Sequence, residues 1–220
     1  MVIPVYNGAN VLTETIRRLS VFLAAEFAAY EIILIDDCST DQSQMIIQAA
    51  ATRDAHIRFQ ANKTNKGQQK TLAEGFLLAK LDIVLSIDAD LPCTMADLKK
   101  IAEIANGGIE IVFGKRTGDI QRKWWRRLGS WLANGLFRAI FPYEIRDFGC
   151  GIAALRRSLV EKLRSQKKPI RLIKLDLLNI AESYVETGIQ SSPRERAAKS
   201  TYSFRKLLKL FWIMLTYRFQ

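Results

Sequence analysis

The sequence predicts an α/β fold of the doubly wound kind, a largely parallel sheet layered between helices, and three observations carry that prediction. Short apolar runs suited to strands buried on both faces alternate with segments whose apolar residues recur every three or four positions. The strand-like runs stop abruptly in polar punctuation: Asn7-Gly8, Asp36-Asp37 and Asp88-Ala89-Asp90. The alternation runs βαβαβαβαβ over the first half of the chain, with no internal repeat or low-complexity segment to interrupt it.

Taken in order, Val2 to Tyr6 is a strand closed by a turn signal, and a helix follows with Leu12, Ile16, Leu19, Leu23 and Phe27 on one face. Glu31 to Ile35 is a second buried strand. Ser39 or Thr40 is expected to cap the next helix, whose face includes Met45, Ile46 and Ala49. His56 to Phe59 is a weak third strand, Asn62 to Gly67 a polar loop, and Gln68 to Ala79 a helix with Leu72, Phe76 and Ala79 facing in. The Asp82 strand, a helix from about Thr94 to Ala105 and a strand from Glu110 to Gly114 complete the alternation. Beyond Gly114 the character changes. Lys115 to Arg127 carries six Lys or Arg with Trp124 and Trp125, and continues as a helix through Leu128, Trp131, Leu132, Leu136 and Ile140. Asp147-Phe148-Gly149-Cys150-Gly151 precedes the apolar run IAAL, a basic helix from Arg156 to about Arg164, a helical stretch from Ile173 to Ala181 and a strand-like Tyr184 to Gln190.

At 220 residues and 49% hydrophobic, the chain can bury a full core and reads most economically as one domain. Its charge, 33 − 22 = +11, points to an anionic partner: nucleic acid, nucleotide phosphates or an anionic membrane surface. Cys38, Cys93 and Cys150 are odd in number and lack metal-ligand spacing, so a reducing, cytoplasmic setting is expected and a disulfide framework is not. Met1 runs straight into an apolar strand without a basic leader, and Leu210 to Leu215 is far shorter than the ~20 residues that span a bilayer. The expectation is therefore a chain that does not itself cross a membrane.

In an open α/β sheet, ligands sit beyond the carboxyl ends of the strands, so Asp88 and Asp90 are expected to project into a site. Carboxylates spaced in this way can hold a hard divalent cation, Mg2+ or Mn2+, which neutralises substrate phosphates. Alone, such a triplet is mostly a solvated loop after a strand, since Asp is common in turns. Its company decides. The chain shows IPVYN, ILIDDCSTD, NKGQ, SIDADLP, GKR, DFGCG and RERAAKSTYSFRKL in that order. This series resembles the family 2 glycosyltransferases of GT-A fold, a Rossmann-like three-layer α/β/α sandwich. The similarity is greatest to the branch of dolichol-phosphate mannose synthases and bacterial polyprenyl-phosphate glycosyltransferases, and it covers nearly the whole chain.

The resemblance implies roles position by position. Pro4, Tyr6 and Asn7 match the segment that cradles the nucleotide, where a ring can stack on a base. Asp36 and Asp37 match an acidic pair that accepts hydrogen bonds from base or ribose. Cys38 stands where the family often has Gly, a harmless departure provided φ is negative there. Asn65, Lys66, Gly67 and Gln68 match a donor-binding segment ahead of the third helix, and Ala89 lies within the metal-binding motif formed by Asp88 and Asp90. Pro92 replaces the Gln of many branch members and removes a polar side chain from the metal shell. Arg116 matches an Arg near the donor phosphates, and Asp147 an acidic residue beside the acceptor, often assigned as base. Arg194, Arg196, Lys199 and Ser200 match an acceptor-phosphate segment, with Ala198 in place of the usual Gly.

These matches predict a catalytic domain over residues 1–203 and an amphipathic basic-aromatic helix over 204–220 that meets the membrane interface. The expected activity is inverting, metal-dependent transfer of a sugar from a UDP- or GDP-sugar to a polyprenyl phosphate, by a protein peripheral on the cytoplasmic face of the membrane, or membrane-anchored if the chain is a fragment, and without nucleic acid as partner. Transfer to a saccharide hydroxyl with Asp147 as base stays open, since only a hydroxyl needs deprotonation. A nucleotidyltransferase, releasing diphosphate, and a nucleic-acid-binding module, suggested by charge alone, are the readings from other classes.

Overall fold

The computed structural model describes residues 1–117, 135, 137, 140–166, 168–190 and 217. Among the described residues seven strands and six helices follow one another: β1 (Val2–Val5), α1 (Ala9–Glu26), β2 (Ile32–Asp36), α2 (Ser43–Arg53), β3 (Ile57–Ala61), α3 (Gln68–Leu78), β4 (Ile83–Ser86), α4 (Met95–Asn106) and β5 (Ile111–Thr117). There follow β6 (Ala153–Arg156), α5 (Arg157–Ser165), α6 (Ile173–Leu178) and β7 (Tyr184–Gln190). One sheet in the order β3-β2-β1-β4-β6-β5-β7 takes every strand, parallel throughout except for β6, which runs against both β4 and β5.

Alternate side chains of each strand enter two apolar layers. Ile3, Val5, Ile32, Leu34 and Leu85 pack with Leu12, Leu19, Ile47, Leu98 and Ile101 of α1, α2 and α4. Val2, Ile33, Ile35, Val84 and Phe113 pack with Leu72, Phe76, Leu159, Val160 and Leu175 of α3, α5 and α6. Strands covered on both faces must be apolar at every position, which is why the period-2 signal is missing from IILI and IVL. The predicted three-layer sandwich is thus the observed one.

Local details differ from the expectation. The helix after β2 begins at Ser43 and has no side-chain cap, because Ser39 and Thr40 bond to Asn7 instead: Asn7 N donates to Ser39 Oγ, and Thr40 N donates to Asn7 Oδ1. The predicted strand at Glu110–Gly114 runs on to Thr117, paired along its length with β7. The IAAL run is β6; its two alanines carry no strand preference, and only its place between β4 and β5 makes it a strand. Asp97 and Thr94 form a reciprocal cap on α4, which fixes the start of the helix expected from about Thr94.

The predicted helix from Trp124 lies almost wholly outside the described residues, as does the predicted 204–220 helix apart from Tyr217. Among the described residues no helix is long and apolar enough to cross a membrane. Tyr217 packs its ring edge-on against Phe141, its hydroxyl donates to Asp176 Oδ1 at 2.6 Å, and it accepts from Asn179 Nδ2 at 2.9 Å. Asp176 Oδ2 meanwhile accepts the amides of Arg171 and Leu172, so one buried carboxylate ties Tyr217 to the first turn of α6. Replacing Tyr217→Phe is expected to lower stability by about 1–2 kcal/mol, the size of a hydrogen bond to a partly buried charge, read as a shifted urea midpoint at constant slope.

Candidate active site

The sheet order creates an opening. From β1 the chain steps outward to β2 and β3, then returns past β1 to β4, so the two halves of the sheet diverge between β1 and β4. These strands register only at Val2 with Ser86, with Ile87 N donating to Val2 O, and then part. Pro4, lacking an N–H, sits just past that point, where no donor toward β4 is needed. The loops that follow β1 and β4 face each other across the opening; a Cβ on Gly8 would stand 3.9 Å from that of Ala89. Thr15, fully buried in α1, donates to the Ala89 carbonyl and fixes the acidic loop from below.

All three non-glycine residues with positive φ among the described ones sit at this edge: Asn7 (52°), Cys38 (63°) and Leu91 (52°). Asn tolerates this conformation, but Cys and Leu do not, and Leu91 also precedes Pro92, where an extended conformation is favoured. Such strain persists only where surrounding contacts overdetermine it. The view of Cys38 as a harmless departure is corrected: its φ lies in the left-handed region that favours glycine. Pro92 and Leu91 are buried beneath the acidic loop, which turns through a bond from Leu91 N to Asp88 O.

Asp36 and Asp37 are both buried but behave differently. Asp37 is spent on its own loop: Oδ1 accepts Lys66 N (2.8 Å) and Asn62 Nδ2 (3.2 Å), Oδ2 accepts Gly67 N (2.9 Å), and its carbonyl accepts Asn65 Nδ2. Gly67, at φ 83° and ψ 150°, occupies backbone space open essentially to glycine, and this brings both amides onto one carboxylate. Asp36 Oδ2 accepts Ser39 N, while its Oδ1 is buried with no hydrogen-bond partner among the described residues. The ammonium of Lys66 pairs with Glu74. Tyr6, 54% exposed, presents its ring at the rim.

Gln68, in the first turn of α3, donates from Nε2 to Asp88 Oδ1 at 2.7 Å. On the other side of that carboxylate stands Gly151, where a Cβ would lie 2.7 Å from Asp88 Oδ2 and 3.1 Å from Cγ. Gly149 plays the same part for the second charged group, since its Cβ would come within 3.2 Å of Arg116 Nη2. Arg116, at the end of β5, grips Asp147 with two parallel bonds, Nε to Oδ2 and Nη2 to Oδ1, each 2.8 Å, and Arg116 N adds a third to Oδ2. Burial opposes ionisation of Asp147, but the guanidinium hydrogen bonds and charge prevail and hold its carboxyl below the ordinary 3.8. Burial pushes the Cys150 thiol up to about 11, which leaves it an inert filler between these groups.

The acidic loop fits a divalent cation of the kind held by one or two carboxylates and completed by substrate phosphates. Asp88 is oriented by Gln68, Asp90 Oδ1 is sheltered from solvent, and among the described residues no group of three or more His, Cys, Asp or Glu converges into an all-protein cage. The structure thus brings together Pro4, Tyr6, Asn7, Asp36, Asp37, Asn65 to Gln68, Asp88 to Asp90, Arg116 and Asp147 along one edge of the sheet. Arg194, Arg196, Lys199 and Ser200 lie outside the described residues. Sequence reasoning missed Gly149 and Gly151 as separate requirements, although their spacing in DFGCG was a signal, and missed Thr15 and Asp41; Asp41 Oδ2 caps Ala9 N at the start of α1.

An open parallel sheet with an acidic loop at the point of divergence, and one antiparallel strand returning beside it, defines a GT-A transferase fold. The chain belongs to glycosyl transferase family 2, whose family model matches residues 1–164. The undecaprenyl-phosphate 4-deoxy-4-formamido-L-arabinose transferase of Edwardsiella ictaluri is 31% identical over 218 residues, and its namesake from Pseudomonas aeruginosa is 32% identical. Each alignment takes in 98% of this chain but only 66% and 63% of the relative, so the chain spans less than two thirds of the length of these relatives. Among solved structures, the glucosyl-3-phosphoglycerate synthase of Mycobacterium tuberculosis with Mn2+, UDP and phosphoglyceric acid superposes at a TM-score of 0.72 and 16% identity, over 99% of this chain and 77% of its own. Staphylococcus aureus TarS gives 0.58 at 17% identity, over 99% and 70%. At these identities the likeness is one of fold.

Two substitutions test this geometry. Gly151→Ala is expected to displace the Asp88 carboxylate, costing about 1–3 kcal/mol of stability and abolishing any Mn2+-dependent thermal shift given by a nucleoside diphosphate. Cys38→Gly is expected to stabilise by roughly 0.5–1 kcal/mol, because relief of about 1–2 kcal/mol of left-handed strain outweighs the added freedom of the unfolded chain; urea midpoints measure it.

Proposed function

We propose that the protein transfers a sugar, with inversion, from a nucleotide-sugar to a polyprenyl phosphate held at a membrane surface. The observation that carries this reading is the Arg116–Asp147 pair. With both oxygens bonded to one guanidinium and its proton affinity depressed, Asp147 is a weak general base, which disfavours an acceptor hydroxyl that must lose a proton. A phosphate monoester arrives already anionic and needs none. The names of the relatives, which act on undecaprenyl phosphate, and the +11 charge of the chain support the same acceptor.

In this reading Tyr6 offers its ring to the base, Asp36 Oδ1 accepts from the base or ribose, and Asp37 positions Asn65 to Gly67 around the nucleotide. Asp88 and Asp90 would hold Mg2+ or Mn2+, which supplies charge neutralisation for the departing nucleoside diphosphate. Gln68 and Gly151 fix where Asp88 points. Arg116, kept in place by Asp147, lends its remaining field to phosphate, and Arg194, Arg196, Lys199 and Ser200 are assigned to the acceptor phosphate. The basic-aromatic residues of 204–220 are assigned to the membrane interface, with the enzyme peripheral on the cytoplasmic face.

The test incubates labelled UDP- and GDP-sugars with undecaprenyl phosphate in detergent and Mn2+. Lipid-linked sugar and free nucleoside diphosphate are expected, with Asp88→Asn and Asp90→Asn each lowering the rate ~100-fold or more. Product found only on saccharide hydroxyls, or release of diphosphate in its place, overturns the assignment. The ion pair itself has a pH signature. Because the pKa of Asp147 is lowered on folding, the pair's contribution is full above the ordinary carboxylate value and is lost as pH falls through the depressed one. The stability difference between the wild type and Asp147→Asn is therefore expected to stay constant from about pH 5 to 8 and to shrink below about pH 4.

A further inference from the structure

Lys174 lies on α6, outside every motif that marks the site, and is half-buried, with its ammonium 4.8 Å from the centre of the Phe113 ring and 5.5 Å from that of Phe148. It donates to one acceptor of note, the backbone carbonyl of Asp147, at 3.1 Å. That carbonyl also accepts Cys150 N, closing the turn Asp147-Phe148-Gly149-Cys150. The turn therefore has three functions at once: its first residue holds Arg116, Gly149 leaves room for the guanidinium, and Gly151, just beyond it, leaves room for Asp88.

We infer that Lys174 is a positioning residue for the transfer reaction, a half-buried cation that pins this turn so that the Arg116–Asp147 pair and the Asp88 carboxylate keep their places relative to one another. The helix that carries it is itself fixed at both ends. Ile173 N donates to Gln69 Oε1, adjacent to the glutamine that orients Asp88, while Asp176 and Asn179 are held by Tyr217. From β7, Glu186 accepts the amides of Arg146 and Asp147 (3.0 and 2.7 Å), so the start of the turn is gripped by a carboxylate and its carbonyl by an ammonium. Burying an ammonium is costly unless it is paired and bonded, and burial lowers the pKa of Lys174. A residue needed only to fill space between two phenylalanines would be better as methionine, which stacks on rings at no desolvation cost.

The inference rests on the proposed transfer to a lipid phosphate, and the experiment separates the two. The full chain carrying Lys174→Met is compared with wild type for sugar transfer to undecaprenyl phosphate, for melting temperature, and for amide hydrogen exchange over residues 146–151. The variant is expected to melt at or above the wild-type temperature. Its kcat is expected to fall at least tenfold with the KM for the nucleotide-sugar unchanged within twofold, and exchange in the turn to quicken. A kcat within twofold of wild type, or unchanged protection of residues 146–151, overturns the inference. If the wild-type chain transfers nothing to the lipid phosphate, the functional reading fails and the exchange measurement alone judges the pin. Should the methionine variant not fold, Lys174→Gln, whose amide still donates, is expected to give intermediate rate and exchange; wild-type values of both refute the pin.

Discussion

Everything at the active edge depends on one close approach, that of the Asp88 carboxylate to the bare Cα of Gly151. The two residues come from strands that run in opposite directions, and each strand brings a different part of the site. β4 arrives carboxyl end first and delivers the acidic loop; β6 departs from the same edge and so delivers the Asp147 turn that precedes it. Were β6 parallel like its neighbours, that turn would emerge at the far side of the sheet. A single reversed strand thus adds one more loop to an edge otherwise lined by the loops that follow β1, β2, β3, β4 and β5. The 2.7 Å that a Cβ would leave to Asp88 shows how little space separates the two contributions.

Conformational strain is concentrated at the same edge. Asn7, Cys38 and Leu91 lie in the loops that follow β1, β2 and β4, and hydrogen bonds hold these loops to their neighbours. Asn7 is bonded to Ser39 and Thr40, the Asp37 carboxylate to the amides of Lys66 and Gly67, and Ala89 to buried Thr15. Left-handed backbone at a non-glycine residue costs about 1–2 kcal/mol, comparable to the net gain from one or two such bonds. The loops are therefore preorganised, and little ordering remains for a ligand to drive.

The charges of the site fall into two sets. Asp37 and Asp147 have their oxygens consumed by the protein, Asp37 by backbone amides and Asp147 by Arg116, and each serves to place other groups. Asp36 keeps one buried oxygen without a partner among the described residues, and Asp88 and Asp90 crown the loop at the opening. The desolvation cost of a buried, unpaired acceptor is about 1–3 kcal/mol, a cost that a bound hydroxyl or N–H would relieve. Such a division, between carboxylates spent on the fold and a buried carboxylate oxygen with no partner among the described residues, is what distinguishes a binding edge from a merely polar one.

Much of this was legible in the sequence. Apolar runs ending in Asp marked β2 and β4, helical spacing marked α1 and α3, and the ordered series of motifs identified family, fold and edge together. What the sequence could not reveal were the partners. Nothing local distinguishes Asp36 from Asp37, since their difference arises from a loop 29 residues away folding back onto one of them. The alanines of β6 have no strand preference of their own, and Lys174 reads as one more surface cation in a basic chain. Burial pattern and chain order are properties of neighbours in sequence, so the sequence by itself determined the layers and the edge where chemistry occurs. Which carboxylate is spent on the fold, which cation reaches the Asp147 carbonyl and which glycine must stay bare depend on groups that meet only when the sheet closes, and those the tertiary structure alone decided.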